Sequence, residues 1–262
     1  MKTSLEIPEK LISCFDASSV VRRIKEQGFA FCPGLQIGEV INAVCSKEAT
    51  SFFSESWNHL GVDKFLADGG RYRRRRFGVF QAAYDGIVAK PHQPHFQSRD
   101  YNAVNGGIQR YFEPLEPQIA THEVLKLLLN ICVNVFSGCS EDGLRLMPWH
   151  TEIHQFRVET DDKERGLPTP EGMHRDGVDW VCVVLIKRVN VDSGVTEIFD
   201  TESKERSSFI LEEAFDTVFL DDQRTHHGVT PITRIEHGEP AYRDILVATF
   251  RNETNQIPSK AY

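Results

Sequence analysis

The second half of this chain is punctuated in a way that leaves few folds open. After about residue 144, short β-rich runs alternate with turn residues. His150 to Val158 sets Ile153, Phe156 and Val158 among polar residues, and Val178 to Val191 contains Val181-Cys182-Val183-Val184-Leu185-Ile186. Gly194 turns the chain into Thr196-Glu197-Ile198-Phe199, and Ser207 to Leu211 and Thr217 to Leu220 follow. Asp221-Asp222 turns again, and Arg243 to Arg251 is the last run. Many short strands at close spacing, preceded by helical segments, predict a β-sandwich or barrel with helices packed outside it.

The first half reads differently. Residues 17–27 predict a helix capped by Ser18 or Ser19, with Val20, Val21 and Ile24 on its apolar side and Gly28 at its end. Phe29-Ala30-Phe31 reads as a strand, and residues 38–55 read as a second helix. Residues 116–136 carry Leu125, Leu128, Leu129, Cys132, Val133 and Phe136 at helical spacing, with Gly138 as the expected stop. Trp180 is expected in the core. No repeat or linker composition interrupts the chain. The reading is therefore one domain over 1–262, with a helical and mixed part over about 1–143 and a β core over about 144–252.

Composition excludes several partners. A formal net charge of -8 makes duplex nucleic acid or an anionic membrane an unsuitable main ligand. No apolar run approaches the ~20 residues of a membrane span, and the first residues have no signal-peptide pattern. The six cysteines are scattered without a CxxC pair, which fits a reducing, cytoplasmic compartment. A homo-oligomer stays open.

The chemistry starts at Glu171-Gly172-Met173-His174-Arg175-Asp176-Gly177. On an extended chain His174 and Asp176 project to the same face. Two His and one carboxylate holding a divalent ion on one side, with open positions on the other, make the facial triad of non-haem iron oxygenases. A second His has to come from elsewhere. His226 and His227 stand in Thr225-His226-His227-Gly228-Val229-Thr230-Pro231, and only one of two adjacent residues on a strand can face inward. On the last strand, Arg243 and Arg251 share a face but lie roughly 26 Å apart, too far to serve one small site. A buried Arg there requires an anion, which a dicarboxylate co-substrate would supply.

His174-X-Asp176, then His-Gly-Val-Thr-Pro, then Arg-Asp-Ile-Leu-Val-Ala-Thr-Phe resembles the iron(II)/2-oxoglutarate-dependent dioxygenases. Within them it is similar to the bacterial free-amino-acid hydroxylases of the L-isoleucine 4-hydroxylase type. The similarity takes in Arg71–Phe77, Gln97–Tyr101, Gly106-Gly107, Arg110–Leu115 and the Asp221–Pro231 turn, and covers most of residues 28–252. It implies a double-stranded β-helix, or jelly roll, with a cupin-like metal-binding core. It implies Fe(II) on His174, Asp176 and His227, and the distal carboxylate of 2-oxoglutarate on Arg243. It also implies use of O₂, release of succinate and CO₂, and hydroxylation of a C–H bond in a free aliphatic L-amino acid or close derivative. A non-catalytic metal-binding module of the same architecture is the rival, as is an oxygenase of the family acting on protein or another small molecule.

Other residues carry weaker signals. Five arginines fall within residues 71–76. Most of that run reads as solvated, with Arg73 and Arg75 as candidates to face inward and grip a substrate carboxylate. Glu171 is a candidate substrate contact. His92 and His95 read as surface-loop residues between prolines, and His150 and His154 as core or supporting residues of an early strand.

Overall fold

The computed structural model describes residues 15–140 and 148–253. Helices α1 (Ala17–Gln27), α2 (Gly34–Val44), α3 (Lys47–Glu55), α4 (Pro117–Ala120) and α5 (Glu123–Cys139) belong to the first half, with a 3-10 turn at Ser56–His59. The same half contributes β1 (Phe29–Cys32), β2 (Gly61–Val62), β3 (Arg73–Ala83), β4 (Gly86–Ala89), β5 (His95–Phe96) and β6 (Gln109–Arg110). The second half is strands: β7 (Trp149–Glu159), β8 (Trp180–Val189), β9 (Val191–Ser193), β10 (Val195–Asp200), β11 (Arg206–Ile210), β12 (Thr217–Asp221), β13 (Thr225–Val229), β14 (Ile232–Arg234) and β15 (Tyr242–Asn252).

The main sheet has eight strands in the order β1-β12-β8-β15-β7-β3-β2, with β4 paired to β3. A smaller sheet runs β11-β10-β13, and β14-β9 and β5-β6 form two-stranded pairs. The paired strands of the named sheets are antiparallel. This is a jelly roll in which both faces of the main sheet are covered. Cys182, Val184 and Ile186 of β8 join Leu246, Ala248 and Phe250 of β15 against α5 on one face. The alternate residues Val181, Leu185 and Ile245 pack toward Ile198 and Phe209 of the small sheet on the other. The two sets are offset by one residue because side chains alternate across a strand.

Local structure departs from expectation at four points. The α1 cap is Asp16, whose Oδ1 accepts from Ser19 N at 3.0 Å, so neither Ser18 nor Ser19 caps it. The helix expected over 38–55 is two: Cys45 is extended and Ser46 caps α3 by accepting from Ala49 N at 3.1 Å. Gly138 lies inside α5 and does not end it. A Cβ there would come within 2.8 Å of Val21 Cγ2, so the glycine permits α1 and α5 to approach. Finally, the main sheet draws β1 to β4 from the part read as helical and mixed, and β3 is an internal strand. Trp180 is half-buried, with its ring stacked on Phe136 at 5.4 Å. Among the described residues no helix is long and apolar enough to cross a membrane.

Phe136 ties α5 to the sheet, fully buried against the rings of Trp180, Phe219 and Phe250. Phe136→Ala is expected to cost about 3–5 kcal/mol in urea unfolding. A loss below about 1 kcal/mol would show that this contact does not hold the helix to the sheet.

Candidate functional site

His174 lies in the segment between β7 and β8 and is locked to β13 by a reciprocal pair of backbone hydrogen bonds. His174 N donates to His227 O and His227 N to His174 O, both at 2.9 Å. Residues paired directly across two strands present their side chains on one face, and the two imidazole centroids are 4.6 Å apart. Asp176 comes to the same place two residues later. Its Oδ1 is 3.6 Å from His174 Nε2, and its Oδ2 is 3.7 Å from His227 Nε2. One ligand atom from each of the three lies within 4.8 Å of the others. His226 is on the opposite face of β13, near Phe199.

The supporting contacts set the orientation of each donor. His174 Nδ1 donates to Gly172 O at 3.0 Å, which directs Nε2 to the cluster. In the metal-free protein burial acts to lower the His174 pKa. The carboxylates of Asp176 and Glu171 outweigh it and hold the value up to about 9. A divalent ion would take that proton's place. His227 is pushed down to about 4, first by burial and then by the His174 charge. Asp176 stays well below the usual carboxylate range, because His174 and His227 overcome its burial.

Asp222 and Gln97 hold this cluster from behind, and sequence reading missed both roles. Asp222 accepts from Asp176 N at 2.9 Å, Gly177 N at 2.8 Å and Val178 N at 3.0 Å, and its Oδ1 lies 4.0 Å from His227 Nδ1. Burial and the Asp176 charge raise its carboxyl to about 7 against those three donors. Gly177 has φ 79°, and a Cβ there would lie 2.5 Å from the Tyr101 ring, so the turn after Asp176 needs glycine. Gln97 Nε2 donates to Asp176 Oδ1 at 3.2 Å and is steadied by Asn102 Nδ2 on its Oε1 at 3.1 Å.

The cluster opens into a cavity of about 190 Å³ walled by the inner faces of β3, β7 and β15. Arg243 lines it and is 1% exposed. Its Nε, Nη1 and Nη2 are all buried with no hydrogen-bond partner among the described residues. Burial, and then the Arg188 charge, bring its pKa down to about 10. Arg251, read as too far along the strand to serve the same small site, instead lines the same cavity, because the cavity follows the length of β15.

The arginine run is β3, and its alternation sorts the side chains. Arg71 is exposed, and Arg74 and Arg76 pair with Glu159, Glu113 and Glu116. Arg73 and Arg75 point inward at 6% and 4% exposure. Their carboxylate in this structure is Asp63: Arg73 Nη2 is 2.8 Å and Arg75 Nη1 3.6 Å from Asp63 Oδ2. Arg75 also stacks on Phe112, with its guanidinium carbon 3.5 Å from the ring centroid. Glu171 Oε1 is 3.6 Å from His174 Nε2, and Glu171 Oε2 is buried without a partner among the described residues. His92 is exposed as expected. His95 is not: it turns into the cavity, with Nδ1 2.7 Å from Glu152 Oε2, beside His150 and His154. Arg110, 2% exposed on β6, also lines the cavity and had no signal of its own in the sequence.

Comparison with known proteins agrees with this geometry. A family model described as 2OG-Fe dioxygenase matches residues 54–249. The chain belongs to the 2OG-Fe dioxygenase family. It is an oxidoreductase of a family that uses Fe(II), 2-oxoglutarate and O₂. A 3(1)-hydroxy-L-isoleucine 4-dioxygenase from Pantoea ananatis is 25% identical over 243 residues, 87% of this chain and 93% of that protein. An L-isoleucine-4-hydroxylase from Bacillus thuringiensis is 25% identical over 157 residues, 60% of this chain and 64% of that protein. Among solved structures, a bsmA homolog from Methylobium petroleophilum PM1 is 33% identical with a TM-score of 0.81, covering 90% of this chain and 93% of that one. For a 2OG-Fe dioxygenase, the residues present fit the cofactors: a two-His, one-carboxylate donor set stands in one cavity with an unpartnered buried guanidinium.

Asp222→Ala removes the acceptor of three backbone donors without touching the cluster itself. It is expected to weaken Co(II) binding about 10–100-fold in a titration of the metal-free protein. Unchanged affinity would mean that the loop holds His174 and Asp176 without it.

Proposed function

We propose that the protein is a hydroxylase of a free aliphatic L-amino acid or close derivative, holding Fe(II) on His174, Asp176 and His227 and 2-oxoglutarate on Arg243. The observation that carries this is Arg243: a fully buried guanidinium without a partner among the described residues, in the cavity that His174, Asp176 and His227 line. A buried cation of this kind is stable only with an anion beside it. A dicarboxylate has one end for Arg243 and another for a metal ion, and the forked guanidinium grips the first in a bidentate way. Two relatives named for isoleucine chemistry support the substrate class. So does a cavity wall with charges of both signs, Arg73, Arg75 and Glu171, which suits a zwitterion.

With Fe(II), 2-oxoglutarate and O₂ bound, the centre supplies an oxidant able to replace a C–H hydrogen with hydroxyl, as 2-oxoglutarate leaves as succinate and CO₂. The chain's own residues do the rest. His174 and His227 would hold the iron through Nε2 and Asp176 through its carboxylate, and a donor set of two His and one carboxylate would leave open positions for co-substrate and oxygen. Gln97 and Asp222 keep Asp176 in place. Phe156, Val183, Ile245 and Val247 dry the cavity. Arg73 and Arg75, two positive charges against the single charge of Asp63, leave a net positive wall toward a substrate carboxylate, and Glu171 offers an unpartnered oxygen beside His174.

The test is succinate release after anaerobic Fe(II) loading, across a panel of free L-amino acids. At least one aliphatic member is expected to stimulate it, and stimulation by none of them would reject the substrate class. His174→Ala and His227→Ala should abolish turnover while His226→Ala keeps most of it. The reverse pattern for the two adjacent histidines would put the strand one residue out of register. Arg243→Ala should raise the KM for 2-oxoglutarate about 10²- to 10³-fold. An unchanged KM would remove Arg243 from the co-substrate site.

A further inference from the structure

Glu152 is a buried carboxylate that neither the iron site nor the 2-oxoglutarate site uses. Its side chain is 16% exposed and faces the cavity. His95 Nδ1 lies 2.7 Å from Oε2, His154 Nε2 3.9 Å from Oε2, and His150 Nε2 3.6 Å from Oε1. The His95 contact is the short one; His150, whose Nδ1 faces the donor Lys90 Nζ at 3.3 Å, turns its Nε2–H to Oε1 over the longer 3.6 Å, so Oε1 keeps lone-pair capacity for a further donor. Burial would push this carboxyl up, but His95, His150 and His154 hold it well below the usual range, so the group is an anion.

The same ring has the composition of a metal site, since ligand atoms of His95, Glu152 and His154 lie within 4.8 Å of one another. The tautomer of His154 opposes that reading. Arg75 Nη2 sits 2.5 Å from His154 Nδ1, and a guanidinium can only donate. Nδ1 is therefore the acceptor and Nε2, on the Glu152 side, carries the proton, which is the wrong state for ligation. The complement to an anion ringed this way is a cation that itself donates hydrogen bonds.

Arg110 provides the opposite charge close by. It is the register partner of His95 across the β5-β6 pair, so the two side chains share a face. Arg73 and Arg75 hold Asp63 and add only their net positive charge to this wall, whereas Arg110 pairs with no carboxylate among the described residues, and its Nε is buried without a partner there. We infer that Arg110 and Glu152 clamp the zwitterionic head of the amino-acid substrate, Arg110 taking the α-carboxylate and Glu152, positioned by His95, the α-ammonium. This rests on the amino-acid reading proposed above. Val183, Ile245 and Val247 in the same cavity suit the aliphatic part.

The experiment is anaerobic equilibrium dialysis of radiolabelled L-isoleucine against the Fe(II)- and 2-oxoglutarate-loaded enzyme. The competitors are 3-methylpentanoate, which lacks the ammonium, and 2-methylbutylamine, which lacks the carboxylate. Glu152→Gln should weaken L-isoleucine about 10–100-fold and leave 3-methylpentanoate near its wild-type affinity. Arg110→Ala should weaken L-isoleucine by a similar factor and leave 2-methylbutylamine unaffected. Each result is a preference between two ligands on one variant, so a general loss of folding, which would weaken both, does not mimic it. Tight L-isoleucine binding by the wild type with unchanged preferences in both variants would overturn the clamp alone. Absence of wild-type binding to L-isoleucine, L-leucine and L-valine would overturn the substrate class and the clamp with it. Two Co(II) ions bound per wild-type chain but one per Glu152→Gln chain would make the ring a metal site, which also overturns the clamp.

Discussion

A guanidinium buried in the wall of a sheet has to meet an anion, and Arg243 is the residue on which that requirement falls. Three donor nitrogens sit inside a closed jelly roll with no partner among the described residues, and the like charge of Arg188 is nearby. The inward arginines of β3 in this cavity are handled differently: Arg73 and Arg75 share Asp63. Arg243, with Nε, Nη1 and Nη2 all unpartnered among the described residues, is left for something that is not protein. A residue that costs stability in this way is expected at a functional site.

The fold makes such a cavity available by covering both faces of one sheet. β7 shows how. Ile153 packs into the helical layer, and the alternate residues His150, Glu152, His154 and Phe156 line the cavity. The small sheet and the β5-β6 pair close the other side, so polar residues that would normally face water instead face a substrate space. The reciprocal hydrogen bonds between His174 and His227 then bring the loop before β8 against β13 at the edge of that space. Asp222 reaches back from the β12–β13 turn to fix the same loop through three N–H groups.

Much of this was legible in the sequence, for physical reasons. Short punctuated strands gave the β architecture, and His174 and Asp176 on an extended stretch gave two members of the cluster. The signal failed where the partner was remote or the element very short. Asp222 read as an ordinary turn residue because its donors lie more than forty positions away. His95 read as surface because a two-residue strand has no periodicity to show which way it faces. His150 and His154 of β7 read only as core or supporting residues, since alternation cannot distinguish a packed face from one that lines an enclosed cavity. Gly138 read as a helix stop because its real constraint, the approach of Val21, is a contact between helices.

The central claim is that Arg243 is held unpaired in order to bind the co-substrate, and stability measures it most directly. Arg243→Met replaces a buried charge with an apolar side chain of similar length. If the account is right, thermal unfolding of the metal-free variant will show a gain of about 1–4 kcal/mol over wild type. In the Fe(II)-loaded proteins, 2-oxoglutarate will then raise the Tm of wild type and not of the variant. A variant that is less stable without ligand, yet still stabilised by 2-oxoglutarate to the wild-type extent, would contradict the account, because Arg243 would then be a structural residue and the co-substrate would bind elsewhere.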